Sequence, residues 1–131
     1  MMIEMPFPDM RKLHAHTSGN RFVKATATKN ARTLAKYICI DAINRKEARP
    51  IAGPVLISYA IFVPSNIARD TSNIIQACKP FVDGIVDSGL VEGDSWQQMK
   101  IYNVHVEIDR KNPRVEITLN PVPGNGDMLP K

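Results

Sequence analysis

No stretch of the chain approaches the roughly 18 consecutive apolar residues that a membrane-crossing helix needs. The longest nearly apolar run, Val55 to Val63, has the length of a buried strand. The start, Met1-Met2-Ile3-Glu4, lacks the basic and apolar segments of a secretory signal, so a cytoplasmic protein with no membrane attachment is expected. Aromatic residues are scarce at 6%, which leaves a core to aliphatic side chains; with 44% hydrophobic residues there are enough of them, and a disordered chain is excluded. Cys39 and Cys78 lie far apart, with neither Cys-x-x-Cys spacing nor a ligand cluster beside them, so buried reduced thiols are expected. Internal repeats and low-complexity tracts are absent. A chain of 131 residues has room for one full core, which makes residues 1–131 a single domain. Its core spans about residues 5 to 119, followed by a loose tail over 120–131 that is rich in Pro and Gly.

What is present is an uneven distribution of charge. The net charge of +4 says little by itself. Residues 11–49, however, carry Arg11, Lys12, Arg21, Lys24, Lys29, Arg32, Lys36, Arg45, Lys46 and Arg49 against Asp41 and Glu47. Residues 70–94 carry Asp70, Asp83, Asp87, Glu92 and Asp94 against Lys79. A basic half suited to phosphates beside an acidic cluster suited to metal ions is the division a phosphodiesterase needs.

The hydrophobic pattern predicts an α+β fold, a mixed or antiparallel sheet with two helices packed on it. Met1 to Pro8 starts as a short strand, and Arg11 to Thr28 reads as an exposed basic loop. Lys29 to Ala48 has a helical stripe at Ala31, Leu34, Ala35, Ile38 and Ala42, with Thr28 placed to cap it. Its flanking Lys29, Arg32 and Lys36 can face either solvent or nucleic acid. After Pro50 and the Gly53-Pro54 pair, Val55 to Val63 is a central strand. Ile74 to Val86 is a second helix, kinked or delayed by Pro80 and ended by Gly89. Tyr102 to Ile108 alternates as a half-buried strand, and Asp109 to Pro113 turns it into a hairpin with Val115 to Leu119.

Candidate chemistry gathers between Arg69 and Trp96. Asp70 follows a buried strand and precedes a helix, and Asp94 lies past that helix, where the chain can return toward Asp70. Two carboxylates brought together hold a hard cation such as magnesium, which polarises a phosphodiester and activates water. Lys79 and Asp83, four apart on a helix, put an ammonium where it would neutralise charge on the phosphate. A simpler reading makes Asp70 a helix cap and Lys79–Asp83 a surface ion pair. His14 and His16, two apart in the basic loop, suit phosphate or sugar contacts better than a metal site. Trp96 can stack on a base, anchor a dimer, or pack after the helix.

The ordered pieces Asp70-Thr71-Ser72-Asn73, Lys79 to Gly84 and Gly93-Asp94-Ser95 resemble the RusA family of Holliday junction resolvases, small endonucleases often carried by phages and prophages. Gly53-Pro54-Val55, the basic N-terminal region and the late hairpin resemble it more weakly, so most of residues 5–119 is covered. The resemblance implies a homodimeric endodeoxyribonuclease that cuts Holliday junctions or other branched DNA in recombination and repair, using Mg²⁺ or Mn²⁺. It implies Asp70, Asp94 and Lys79 as catalytic residues. Asp70 and Asp94 would be the metal ligands, with Ser72, Asp83 and Glu92 as further oxygen donors. The nucleic-acid contacts it implies are His14, His16, Arg21, Lys24, Lys29, Arg32, Lys36, Arg69 and Asn73. Two positions depart from the family pattern: Ser72 and Gly93 stand where aspartates are expected. An alternative follows from that loss of charge, a protein that binds branched DNA without cutting it.

Overall fold

The computed structural model describes residues 1–13 and 21–123. His14 and His16 therefore lie outside the described residues, as does the tail beyond residue 123. Four strands and four helices follow in the order β1 (Met2–Pro6), α1 (Met10–Leu13), α2 (Arg21–Asn44), β2 (Val55–Val63), α3 (Thr71–Ala77), α4 (Lys79–Asp87), β3 (Met99–Ile108) and β4 (Arg114–Pro121) among those residues. The class is α+β, as the hydrophobic pattern predicts.

The strand order is β1-β4-β2-β3, with β2 antiparallel to β4 and parallel to β3. The expected β3–β4 hairpin is not formed. Asp109 to Pro113 does connect the two strands, but they lie on opposite sides of β2. A nearly all-apolar strand buried on both faces sits inside a sheet with a hydrogen-bonding neighbour on each edge, and β2 takes both. Its parallel pairing with β3 needs a crossover connection, which α3 and α4 supply.

One face of the sheet is the core floor. Ile3 and Met5 of β1, Ile57 and Ile61 of β2, and Val115, Ile117 and Leu119 of β4 are all buried there. Ala31, Ala35 and Cys39 of α2 close over them, with Phe81, Val82 and Ile85 of α4. Leu34, expected in the α2 stripe, is instead 44% exposed, because the buried line follows the small residues at four-residue spacing. Both thiols are buried and unpaired, as expected.

Helix boundaries differ from the sequence reading at several places: Met10–Leu13 is a short helix at the start of the expected basic loop, and α2 ends at Asn44 rather than Ala48. Arg21 to Thr28 belongs to helix α2 rather than to a loop, and Thr28 lies in the helix interior rather than at its cap. The helix expected over Ile74 to Val86 is two helices broken at Cys78, with Pro80 in the first turn of α4, where its missing N–H costs nothing. Gly89 follows α4 with φ +83, a left-handed conformation suited to a helix end. β4 runs on to Pro121, into the segment expected to be a loose tail.

Close approach of α2 and α4 sets the distance between the basic and acidic halves. A Cβ on Gly84 would sit 2.2 Å from the Arg32 carbonyl oxygen and 2.7 Å from the Ala35 Cβ. Only a glycine lets the two backbones come this near.

Candidate active site

The acidic segment is built on the crossover. Asp70 caps α3, its Oδ1 accepting the Ser72 N–H at 2.8 Å. The simple cap reading of Asp70 is thus realised. Arg69 closes the preceding loop by donating to the Ser65 and Ile67 carbonyls at 2.9 and 3.0 Å and to the Ser65 hydroxyl at 2.9 Å. Its guanidinium is engaged by its own loop.

Lys79 opens α4 and points its ammonium at two carboxylates. It donates to Asp83 Oδ1 at 2.5 Å, the i,i+4 pair expected from helix geometry. It donates also to Asp94 Oδ2, which arrives from the loop between α4 and β3. That loop is fixed by the Gln98 and Met99 N–H groups, both bonded to the Ser95 carbonyl at 2.9 Å. Partial burial works to lower the Lys79 pKa, but hydrogen bonds to Asp83 and Asp94 outweigh it and the net shift is upward. The Asp94 carboxyl is held below its ordinary range, chiefly by the hydrogen bond from Lys79.

The structure therefore joins Lys79, Asp83 and Asp94, while Asp70 stands one helix upstream. Roughly 10 Å of helical rise in α3 separates Asp70 from the start of α4. Among the described residues no hydrogen bond or ion pair joins Asp70 to Asp94, and no group of three or more His, Cys, Asp or Glu side chains is close enough to hold a metal ion. Ser72 and Glu92 are exposed, and Asn73 is partly buried in the first turn of α3.

The basic half comes alongside through α2. Arg21, Lys24, Lys29 and Arg32 recur at helical spacing and line one surface hollow of about 620 Å³ together with Ala25 and Thr28. Arg32 reaches across to α4 in a bidentate pair with Asp87, at 2.5 Å from Nε and 2.8 Å from Nη2. This contact raises the Arg32 pKa, and Asp83 and Asp94 act on Arg32 in the same direction. The Asp87 carboxyl is lowered in turn, first by its hydrogen bond from Arg32. Lys36 continues the face one turn on, its ammonium 5.8 Å from the Tyr37 ring centroid. Arg32 is thus paired with Asp87 and lies within the field of Asp83 and Asp94, which sets the α2 cations beside the acidic cluster.

Two parts of this site escape a reading of the sequence. Asp87 is four residues beyond Asp83 and eight beyond Lys79, a helical signal that places all three on one face of α4. The other part is an apolar cavity of about 520 Å³ between the sheet and the crossover helices. Ile57 and Tyr59 of β2, Ile75 and Val82 of the helices, and Met99 and Ile101 of β3 form its walls. Gln76, Lys79, Asp94 and Trp96 complete its lining. Asp70 is not among these residues.

Beyond the cavity, β3 is far more exposed than the half-buried strand expected. Ile101, Tyr102, Val106 and Ile108 are 60%, 61%, 42% and 49% exposed. His105, on the opposite face, shares a 2.8 Å contact with Glu107. No helix among the described residues is long and apolar enough to cross a membrane.

Comparison with models of known protein families gives no match, and comparison with curated proteins gives none either.

Proposed function

We propose that this protein is a divalent-metal-dependent endonuclease of the RusA type, acting on four-way or otherwise branched DNA in the cytoplasm as a homodimer. The observation that carries this reading is the adjacency of the α2 cations to the Lys79–Asp83–Asp94 cluster across the Gly84 contact. A phosphate backbone lying along Arg21, Lys24, Lys29 and Arg32 leads a phosphodiester toward Lys79 and the carboxylates. Lys36, one turn beyond Arg32, extends the same contact surface, and His14 and His16 are further nucleic-acid contacts that the family resemblance implies.

Carboxylate oxygens are the donors that magnesium and manganese take. Magnesium takes one or two carboxylates, keeps several waters and completes its shell with substrate phosphate oxygens. Asp94 and Asp83 present oxygens that converge on a single ammonium, and Asp70, Ser72 and Glu92 are the further oxygen donors nearby in the chain. The ion, when bound, supplies Lewis-acid polarisation of the phosphate and a more acidic water. The chain's own residues do the rest. Lys79 offsets negative charge on the phosphate, Asp83 and Asp94 hold that ammonium in place, and Arg32, tied to Asp87, fixes the backbone contact.

A second reading is a protein that holds branched DNA without cutting it. Ser72, where the family resemblance places an aspartate, favours it, as does the absence of a three-ligand cluster among the described residues. Incubation of the purified protein with a synthetic four-way junction and magnesium decides between the two. Paired nicks are expected, and no nicking at any enzyme excess rules out the catalytic reading. If Ser72→Asp alone confers cleavage, the natural protein is a binder.

A further inference from the structure

We propose that the apolar cavity beside Lys79 receives an unpaired nucleobase from the branch point, stacked on Trp96. The inference rests on the DNA-binding part of the reading above and adds a base subsite next to the phosphate site. A volume of about 520 Å³ lies within the usual range of small-ligand pockets, about 300–1,000 Å³. Its chemistry is divided in the way a nucleotide is divided. Ile57, Tyr59 and Ile101 give apolar walls for a flat ring, while Lys79, held between Asp83 and Asp94, gives the cation for the phosphate one sugar away. Gln76 adds one amide, able both to donate to and to accept from a base edge.

Trp96 identifies the occupant more closely. Trp96 is 71% exposed beside an apolar cavity, so its ring is open to a flat partner. The Lys100 ammonium lies 5.6 Å from its ring centroid, a cation–π contact that sets a positive charge beside the indole. An aromatic side chain flanked by basic residues is the arrangement on which single-stranded bases stack, whatever their identity. At a branch point the bases are already partly unstacked, so extruding one costs less there than within a duplex.

Trp96 is the only tryptophan in the chain, so its fluorescence reports this site alone. The test titrates full-length protein, without magnesium, with a four-way junction and with the same junction carrying abasic nucleotides at its branch point. Binding is followed independently by the anisotropy of a label on a distant arm. The base-bearing junction is expected to quench Trp96 and to bind roughly tenfold more tightly than the abasic one, the scale of one base–aromatic stack. Trp96→Ala should erase that difference and Trp96→Phe should largely keep it. Equal affinity for the two junctions with unchanged Trp96 emission overturns the base subsite while leaving the nuclease reading intact. No binding of either junction overturns both. Emission that follows protein concentration and ignores DNA also overturns the subsite, since a second copy of the chain then fills the cavity.

Discussion

Lys79 holds Asp83 and Asp94 together, and the consequence for stability has a definite sign. The Asp94 carboxyl titrates below its unfolded value because the charged form accepts from Lys79. The pair therefore contributes its full stabilisation above about pH 4, near the unfolded carboxylate value, and loses it as pH falls through the depressed folded value. Lys79 is 58% and Asp94 36% exposed, so solvent screening limits the effect. Asp94→Asn should cost a few tenths of a kcal/mol at pH 7, a typical exposed pair, and less at pH 2 as protonation removes the charged acceptor. Denaturant melts of both proteins at the two pH values check this, and a cost that grows on acidification contradicts it. The Lys79–Asp83 half of the arrangement is legible in the sequence, because helical spacing alone puts the two residues on one face. The Asp94 half is not. It depends on where the loop after α4 folds, and sequence reasoning paired Asp94 with Asp70 rather than with Lys79.

The approach of α2 to α4 governs how near the basic half lies to the acidic half. Gly84→Ala in an isolated helix would stabilise it by up to about 1 kcal/mol. Here the added methyl meets the Arg32 carbonyl, backbone of a long helix that cannot swing aside. The sign reverses, and we expect a loss of about 1–3 kcal/mol, the range for overpacking a tight contact. Chemical denaturation measures it, and a stabilised Gly84→Ala protein contradicts the close packing. Gly84 is only one residue from Asp83, yet nothing local marks it as a contact point. The same division runs through the other elements. The bounds of β2 follow directly from its apolar run, and the break at Pro80 from the missing N–H. The helicity of Arg21 to Thr28 does not, because its polar residues read as part of the basic loop and only the packing of Ala27 and Ala31 holds them in the helix. The pairing of β3 and β4 does not either: consecutive strands with a strong turn between them read as a hairpin, and only the demand of β2 for two partners separates them.

At the scale of the whole molecule the sheet has two edges, and they differ. β1 is five residues long and ends at Pro6, a common way of blunting an edge. β3 has ten residues and no proline, and its outer N–H and C=O groups run beside Ile101, Tyr102, Val106 and Ile108. Val106 and Ile108 lie on the core side of the sheet, in register with Ile61 and Val63 of β2. Those β2 neighbours are buried while the β3 side chains are not. Sequence alternation cannot distinguish a strand face covered by helices from one left open for another chain, which is why β3 reads as an ordinary half-buried strand. An exposed edge with an apolar face is a pairing template. The proposed homodimer has its natural seam here, and a twofold axis through β3 would present two sites to the opposed strands of a junction. Replacing Val106 and Ile108 together by lysine should convert a dimer to a folded monomer, since neither side chain supports the core. Sedimentation velocity measures the change in mass, and thermal melting confirms that the fold is kept. The monomer should still bind one arm of a junction but lose paired nicking, leaving unpaired single nicks. If the natural protein is a monomer throughout, or if the double variant remains a dimer, β3 is not the seam.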